Sequence, residues 1–199
     1  MFKRRAARPV FAKIASLFWP KMGWRRAFSY YWHRLKRIPG TPESIAMGFA
    51  CGAGASMLPL MGFHFLLSAF FAWVFRGSII ASAIGTAVGN PWTFPFIWVG
   101  TFELGKLVLQ IDTEVVGERP FRTMFEGLYS SVRNFDGGMF VDQVLPTFLP
   151  MLLGSLPVAI VAGVVSYFVV LKPIRTVHKI RHDRKEARKA NYVSAESSR

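Results

Sequence analysis

Three stretches of the chain carry no Asp, Glu, Lys or Arg: residues 44–75, 77–102 and 143–171. A helix crossing a hydrocarbon layer about 30 Å thick needs roughly 20 apolar residues, so stretches of this length are read as membrane-embedded. Their internal pattern differs. Within 44–58 small residues crowd together, and Gly48, Gly52 and Ser56 recur every fourth position, a spacing that lets helix backbones approach closely in lipid. Pro59 and Gly62 interrupt the run, and residues 63–75 continue as a second short apolar helix that ends at Arg76. At about 1.5 Å per residue each half reaches only about 22 Å. The pair therefore reads as a re-entrant hairpin with its tip over 58–63, or as two tilted short spans. Both return Arg76 to the side from which the chain entered.

The second charge-free stretch repeats this logic. Gly77, Ala81, Gly85 and Gly89 form a smooth ridge, with Ile80, Ile84 and Val88 beside it as a bulky one. The pattern predicts a helix over 77–89 that nests against another and stops at Asn90-Pro91, where proline removes an amide donor and disfavours helix at the preceding residue. Pro95 is expected to interrupt again before a further helix through 98–111. Residues 112–142 are polar, yet Phe121, Phe125, Leu128, Val132 and Phe135 keep helical spacing, which predicts a short amphipathic helix followed by a turn at Asp136-Gly137-Gly138. One regular span follows, with Ser155, Ala159 and Gly163 as its close-packing edge and Lys172-Pro173 as its boundary. A basic helix to about Ala190 and nine disordered residues complete the expected order.

Before the first apolar run lies the clearest periodicity in the chain. At 100° per residue Trp24, Phe28, Tyr31 and Leu35 share one arc, while Arg25, Arg26, His33, Arg34, Lys36 and Arg37 fill the opposite one. Such a helix suits the headgroup boundary, with its basic side on anionic lipid. Ile38-Pro39-Gly40-Thr41-Pro42 ends it, and Thr41 or Ser44 is placed to cap the next helix.

Composition changes the picture only through its distribution. Apolar residues are 52% of 199, close to a soluble average. The net charge of +14 first suggests nucleic acid, but no zinc finger, helix-turn-helix or stacking module accompanies it. Residues 1–42 hold eleven basic residues and no acid, 172–199 hold nine against three, and 103–142 hold four against seven. Basic ends and an acidic middle are what the positive-inside bias produces when both termini are cytoplasmic. The lone cysteine, Cys51, excludes an intramolecular disulfide and a cysteine metal site.

The segmentation expected is thus a basic interfacial segment (1–42), a membrane core of short and broken helices (43–111), an outer connection (112–142), a transmembrane helix (143–172) and a basic cytoplasmic tail (173–199). The fold class expected is all-α, a polytopic helical membrane protein with both basic ends cytoplasmic. Membrane lipid with anionic headgroups is the expected partner, together with a homo-oligomer, because four helices enclose little on their own. No cofactor is implied.

Several phrases of the sequence recur together in one family: Phe18-Trp19-Pro20 with Trp24-Arg25-Arg26, Ile45-Ala46-x-Gly48-Phe49-Ala50-x-Gly52, Leu58-Pro59-x-x-Gly62-Phe63-His64, Arg76-Gly77, and Gly85-Thr86 with Asn90-Pro91-x-Thr93. Over roughly 20–112 the chain resembles a bacterial membrane-protein family catalogued as domain of unknown function 2062. It departs at Ser78, where the family pattern usually has asparagine. The resemblance implies a membrane location and these boundaries, and brings no activity, substrate or cofactor.

Candidate chemistry gathers at the two breaks. Secondary transporters build sites from Gly/Pro-interrupted helices whose freed backbone groups need partners. Asn90 and Thr93 are the side chains such a site would offer to a ligand or ion, the alternative being that they bond the freed backbone themselves. His64, one turn past Pro59, is an ionisable group in apolar surroundings. Arg76 reads mainly as an anchor at headgroup level, and Glu103 with Lys106 as an internal pair. Catalysis is the weakest class: His178 and His182 have a metal-capable spacing but no further ligand, and no phosphate-binding loop is present. Two readings compete, a small transporter-like or lipid-handling module and a membrane-anchored scaffold that recruits a partner through its basic ends.

Overall fold

The computed structural model describes residues 24–60, 62–111 and 119–197. The expectations for 1–23 and 112–118 lie outside these residues, as do the side chains of Trp24, Phe28 and 190–197. The described residues are helical, with no strand among them. The chain divides into two units, 1–37 and 38–199.

The first unit contributes α1, Trp24–Leu35. Arg25, Arg26, Tyr31, His33 and Arg34 are exposed on it. Arg34 Nη1 donates to the Tyr30 hydroxyl one turn back (2.8 Å), and the Lys36 ammonium lies 4.8 Å above the Trp32 ring.

The second unit begins with α2, Pro42–Ala55, where Pro42 occupies the first turn and the Thr41 hydroxyl accepts from Ser44 N. Proline is tolerated there because that amide has no helical partner in any case. After the bend at 56–62 comes α3, Phe63–Val74. Gly62, at φ +85°, turns the chain into α3 in a backbone region that side chains avoid. α3 returns along α2, and at its end Gly77 N donates to Ala72 O (2.6 Å) around Arg76 at φ +54°. A left-handed closing residue is usually glycine. Here the glycine stands one place later, at Gly77, where an added Cβ would lie 2.6 Å from Gly48 N.

Ser78 then caps α4, Ile79–Gly85, by accepting from Ala81 N, and Thr86–Val88 tightens into a 3-10 turn. This corrects the continuous helix expected over 77–89. Gly77 sits in the turn ahead of α4, while Gly89 follows the tightened end. The seam itself survives. Gly48 meets the backbone of Ser78, Gly52 meets Ser82 O and Gly85, Gly85 meets Phe49 O, and Gly89 meets Ser56. The two predicted smooth ridges therefore pack on each other, side by side and parallel, with Ala81 fully buried between them.

α5 is Phe94–Leu109. Pro95 lies in its first turn, so it starts this helix and does not break it. After 112–118 comes α6, Pro120–Asn134. Asp136 caps a single turn, Gly137–Met139, by accepting from Gly138 N and Met139 N. Phe140–Val144 is wound as a π-helix, and α7, Leu145–Ser197, completes the chain. The helix runs unbroken through Lys172-Pro173, where the cytoplasmic boundary is expected, with Pro173 carried inside it. It also continues past Ala190 to Ser197, which corrects the disorder expected over most of the last nine residues.

Close approaches fix the order along α7. Gly54 faces Ala159 O, and Glu43 reaches Arg175, so α2 runs antiparallel to α7. Gly105 meets Pro150 O and Gly154 meets Thr101 O, so α5 is antiparallel to a more N-terminal part of α7. α2 and α5 thus follow one another along the same long helix. α6 closes the α5–α7 end around Phe102, Met124, Val144 and Met151.

The exterior is where the distribution of side chains is inverted relative to a water-soluble protein. Buried positions hold apolar side chains such as Ile45, Ile84, Phe102, Met151 and Ile174 together with Ser56, His64, Ser68, Ser82, Thr86, Thr101, Thr147 and Ser155. The outward positions are large and apolar, among them Trp73 (70% exposed), Phe96 (80%) and Ile160 (67%). α3 states the inversion most clearly: His64, Ser68 and Ala72 point in, whereas Phe63, Phe65, Leu66, Phe70 and Trp73 point out. Among the described residues one helix, within Gly137–Lys189, is long and apolar enough to cross a membrane.

Candidate functional site

The two breaks meet at the far end of the α2–α4 seam. Gly89 packs on Ser56, and the His64 ring, in the first turn of α3, stands edge-on to Phe94 at 6.0 Å between centroids. His64 is buried, and its Nδ1 lies 3.4 Å from Leu60 O. The predicted site residues Pro59, Gly62, His64, Asn90, Pro91 and Thr93 are therefore brought into one neighbourhood. Arg76 is not among them. It is exposed at the opposite end of α3, where its carbonyl accepts from Ser44 Oγ (3.2 Å) and Ser78 N donates to Ser44 O (2.8 Å).

Asn90 and Thr93 are occupied by their own turn. Asn90 Oδ1 accepts from Trp92 N (2.9 Å) and Thr93 N (3.2 Å), which closes an Asx turn over Pro91. Thr93 Oγ1 accepts from Asn90 N (2.9 Å) and donates to Val88 O (2.9 Å). Asn90 Nδ2 reaches Ala87 O at 3.4 Å. These bonds answer the backbone groups released where α4 ends, the need that any helix end away from water must meet.

The buried hydroxyls behave in the same way. Ser56 donates to Ala53 O, Ser68 to Phe65 O, Ser82 to Ile79 O, Thr86 to Ala83 O and Ser155 to Leu152 O, at 2.7–2.9 Å. Each is satisfied by the preceding turn of its own helix. These five hydroxyls thus spend their hydrogen bonds within single helices, whereas buried Thr147 on α7 reaches across to Pro120 O at the start of α6 (3.2 Å). Among the described residues, no three His, Cys, Asp or Glu side chains gather to hold a metal.

Sequence reasoning missed one cavity among the described residues. It is an apolar groove of about 620 Å³ along α2, between α3 and α7, with Cys51 and Gly54 on its floor and Phe71, Phe75, Leu156 and Phe168 on its walls. The only signal for it was the small edge Ser155, Ala159 and Gly163. Two of these, Ala159 and Gly163, line the groove because they let α7 approach α2 closely while larger neighbours hold α3 away. At the groove's lower end Glu43 and Arg175 pair at 2.9 Å across α2 and α7. The Glu43 carboxyl is held below its ordinary value by the backbone amide at the α2 N-terminus, and then by Arg175. Glu103 and Lys106 pair at 2.9 Å as their spacing implied.

A family model described as an uncharacterized protein conserved in bacteria, DUF2062, matches residues 25–183. The chain belongs to that family. The DUF2062 match begins in α1 and ends within α7, so it takes in α6, the groove and the α5–α7 end, well beyond the motifs of 20–112. No curated protein and no solved structure matches the chain.

Proposed function

We propose that the chain is a multi-pass helical protein of the bacterial inner membrane that handles lipid, holding an acyl chain in the groove between α2, α3 and α7. The observation that carries the reading is the belt of large apolar residues on the outside of the helices. Water would make so many exposed Phe, Trp, Ile and Val side chains costly, at about 25 cal/mol per Å². Lipid makes them neutral. In this reading α2 and α3 form a re-entrant hairpin of about 21 Å and 18 Å arms that both start from the cytoplasmic side. α4, the Asn90–Thr93 turn and α5 make one broken crossing, α6 lies outside, and α7 returns. Both basic ends are then cytoplasmic.

The groove favours an apolar occupant over a polar solute. Its walls carry no charged group, it opens sideways along α7, and its volume falls within the range of about 300–1,000 Å³ typical of ligand sites. The polar groups at the two breaks are already bonded, so they support an ion or solute route less well. Purified protein in nanodiscs containing a phospholipid with a photoactivatable acyl chain should crosslink within 47–58 and 156–168. Cys51→Trp, which fills the groove, should reduce that several-fold. Crosslinking no greater there than at the outward positions 96–99, and unchanged in Cys51→Trp, would refute lipid handling at this groove. Extraction of the chain by alkaline carbonate would refute membrane embedding itself.

One observation favours a scaffold role beside this. α7 runs about 37 Å beyond Pro173 as a helix whose Lys179, Arg184, Lys185, Arg188 and Lys189 are exposed. Such an arm suits anionic headgroups or an acidic partner. If a cellular phenotype survives substitution of Asn90 and Pro91 and the Cys51→Trp block, yet disappears on removal of 1–38 or 174–199, the scaffold reading replaces the lipid-handling one.

A further inference from the structure

α6 divides its circumference into three sectors, where an amphipathic helix has two. Met124, Gly127 and Ser131 face inward and are buried against the α5–α7 end. Next to them, within about 100° of arc, come Phe121, Phe125, Leu128 and Val132. Phe121 is half-covered by Phe102, while Phe125, Leu128 and Val132 are exposed, Val132 to 67%. The third sector holds Arg122, Glu126 and Arg133, all exposed, with Arg122 and Glu126 paired at 2.7 Å. Tyr129, also exposed, stands on the border between the apolar and charged sectors.

The apolar sector has a direction. Phe121 meets Phe102, but Phe125 reaches Trp98, one turn nearer the middle of the broken crossing, at 5.7 Å between ring centroids. That side of α6 therefore lies beside α5 at Trp98, on a helix that also carries the exposed Phe96 and Val99. A further large apolar side chain is exposed at the α6 C-terminus. Phe135 closes the helix in the left-handed region at φ +52°, with Asp136 N donating to Ser131 O, and its ring is 95% exposed. This departs from the sequence pattern, which placed Phe135 on the helical stripe with Val132.

We infer that α6 is an interfacial helix bedded in the outer leaflet, with one sector on the protein, one in the acyl boundary and one in water. A helix lying in the membrane plane buries its apolar side by about 5–10 Å and keeps its charges among the headgroups. Tyr129 at the sector border has the apolar body and polar tip suited to that depth. Arg122 and Arg133 stand where lipid phosphates lie. The occupant of the exposed apolar sector is lipid, because a tyrosine and then a charged sector with two arginines flank it, the order a helix lying in the headgroup plane requires. The inference rests on the membrane reading above, though not on the groove.

Single-cysteine variants on a Cys51→Ala background, in nanodiscs of phosphatidylethanolamine and phosphatidylglycerol, test it. An environment-sensitive fluorophore is placed at Val132, at Glu126 and, as reference, at Val165 on the outward face of α7. A lipid-borne nitroxide near the headgroup should quench the Val132 label several-fold more than the Glu126 label, and aqueous iodide should do the reverse. Equal iodide quenching at Val132 and Glu126, with Val165 protected, would place α6 in water and overturn the inference alone. Shielding of Val132 from both quenchers that is lost on dilution in lipid would assign the surface to a second copy, again overturning it. Iodide access at Val165 would bring down the membrane reading and this inference together.

Discussion

Two of the seams between the helices of 38–199, α2–α4 and α5–α7, are built on different numbers of glycines. Between α2 and α4, Gly48, Gly52, Gly77, Gly85 and Gly89 bring backbone onto backbone along the whole contact. Between α5 and α7 one glycine from each helix does this work, Gly105 against Pro150 O and Gly154 against Thr101 O. The first seam is a zipper whose period matches the helix, so each small residue protects the next. The second is a single tight crossing, with the apolar cluster of Phe102, Met124, Val144 and Met151 beside it. A zipper without large side chains gains little from burial and depends on close packing, since lipid offers no hydrophobic drive between helices. Cluster-backed contact has another source of stability.

The difference predicts unequal sensitivity to added volume. Gly52→Leu should destabilise by about 3 kcal/mol, at the upper end of overpacking effects, because its Cβ would meet backbone from Ser82, Gly85 and Thr86 that cannot turn aside. Gly105→Leu meets the Pro150 backbone just as closely but should cost less, about 2 kcal/mol, because only that single crossing opens while the apolar cluster beside it still holds α5 on α7. Gly100 has nothing within 4 Å of an added Cβ, and Gly100→Ala should be neutral or stabilise by about 0.5 kcal/mol. Unfolding in mixed micelles followed by circular dichroism measures all three. A smaller loss in Gly52→Leu than in Gly105→Leu would reverse the comparison.

The same contrast explains how much of the architecture was legible. Four-residue repeats of glycine announce the α2–α4 seam, and both ridges were identifiable before their partner was known. The α5–α7 seam was hidden because its small positions read Thr101 with Gly105 and Pro150 with Gly154, which do not look like repeats of one kind. Proline misled at Pro95, which reads as a breaker but lies in a first turn. Pro173, at the expected cytoplasmic boundary, is carried within α7 without ending it. Sequence marks a missing amide; whether that amide was needed depends on position in the helix, which only the fold decides. The Asn90 break was visible, while the side-chain bonds that seal it were one of two alternatives. Of the groove only the small edge at Ala159 and Gly163 was visible, because the groove itself is defined by the distance between α3 and α7.

The two breaks extend the comparison from seams to turns. The first turns on Gly62 alone, without a side-chain cap, whereas the second is closed by Asn90 and Thr93. Asn90→Ala removes an acceptor used by two amides and should cost about 1–2 kcal/mol, the usual range for a lost cap. Asn90→Asp keeps the acceptor and should restore part of that stability. Equal stability of wild type and Asn90→Ala would show that the two breaks are held in the same manner, by backbone alone.

The smallest effect belongs to the pair that ties α2 to α7 below both seams. Glu43 and Arg175 are each about half exposed, so solvent screens their attraction and the pair contributes modestly. Its signature is the pH dependence. The folded Glu43 carboxyl binds its proton less readily than the unfolded one, so over the acid range the unfolded chain holds more protons and stability rises with pH. The contribution is complete above the ordinary carboxylate range and disappears as pH falls through the lowered folded value. Glu43→Gln should therefore melt slightly below wild type at neutral pH, with the two curves converging at low pH. Raised salt should narrow the neutral gap. A gap that keeps its size in acid would mean that Glu43 acts through its packing or its place at the α2 N-terminus, and that its charge does not fasten this end of the groove.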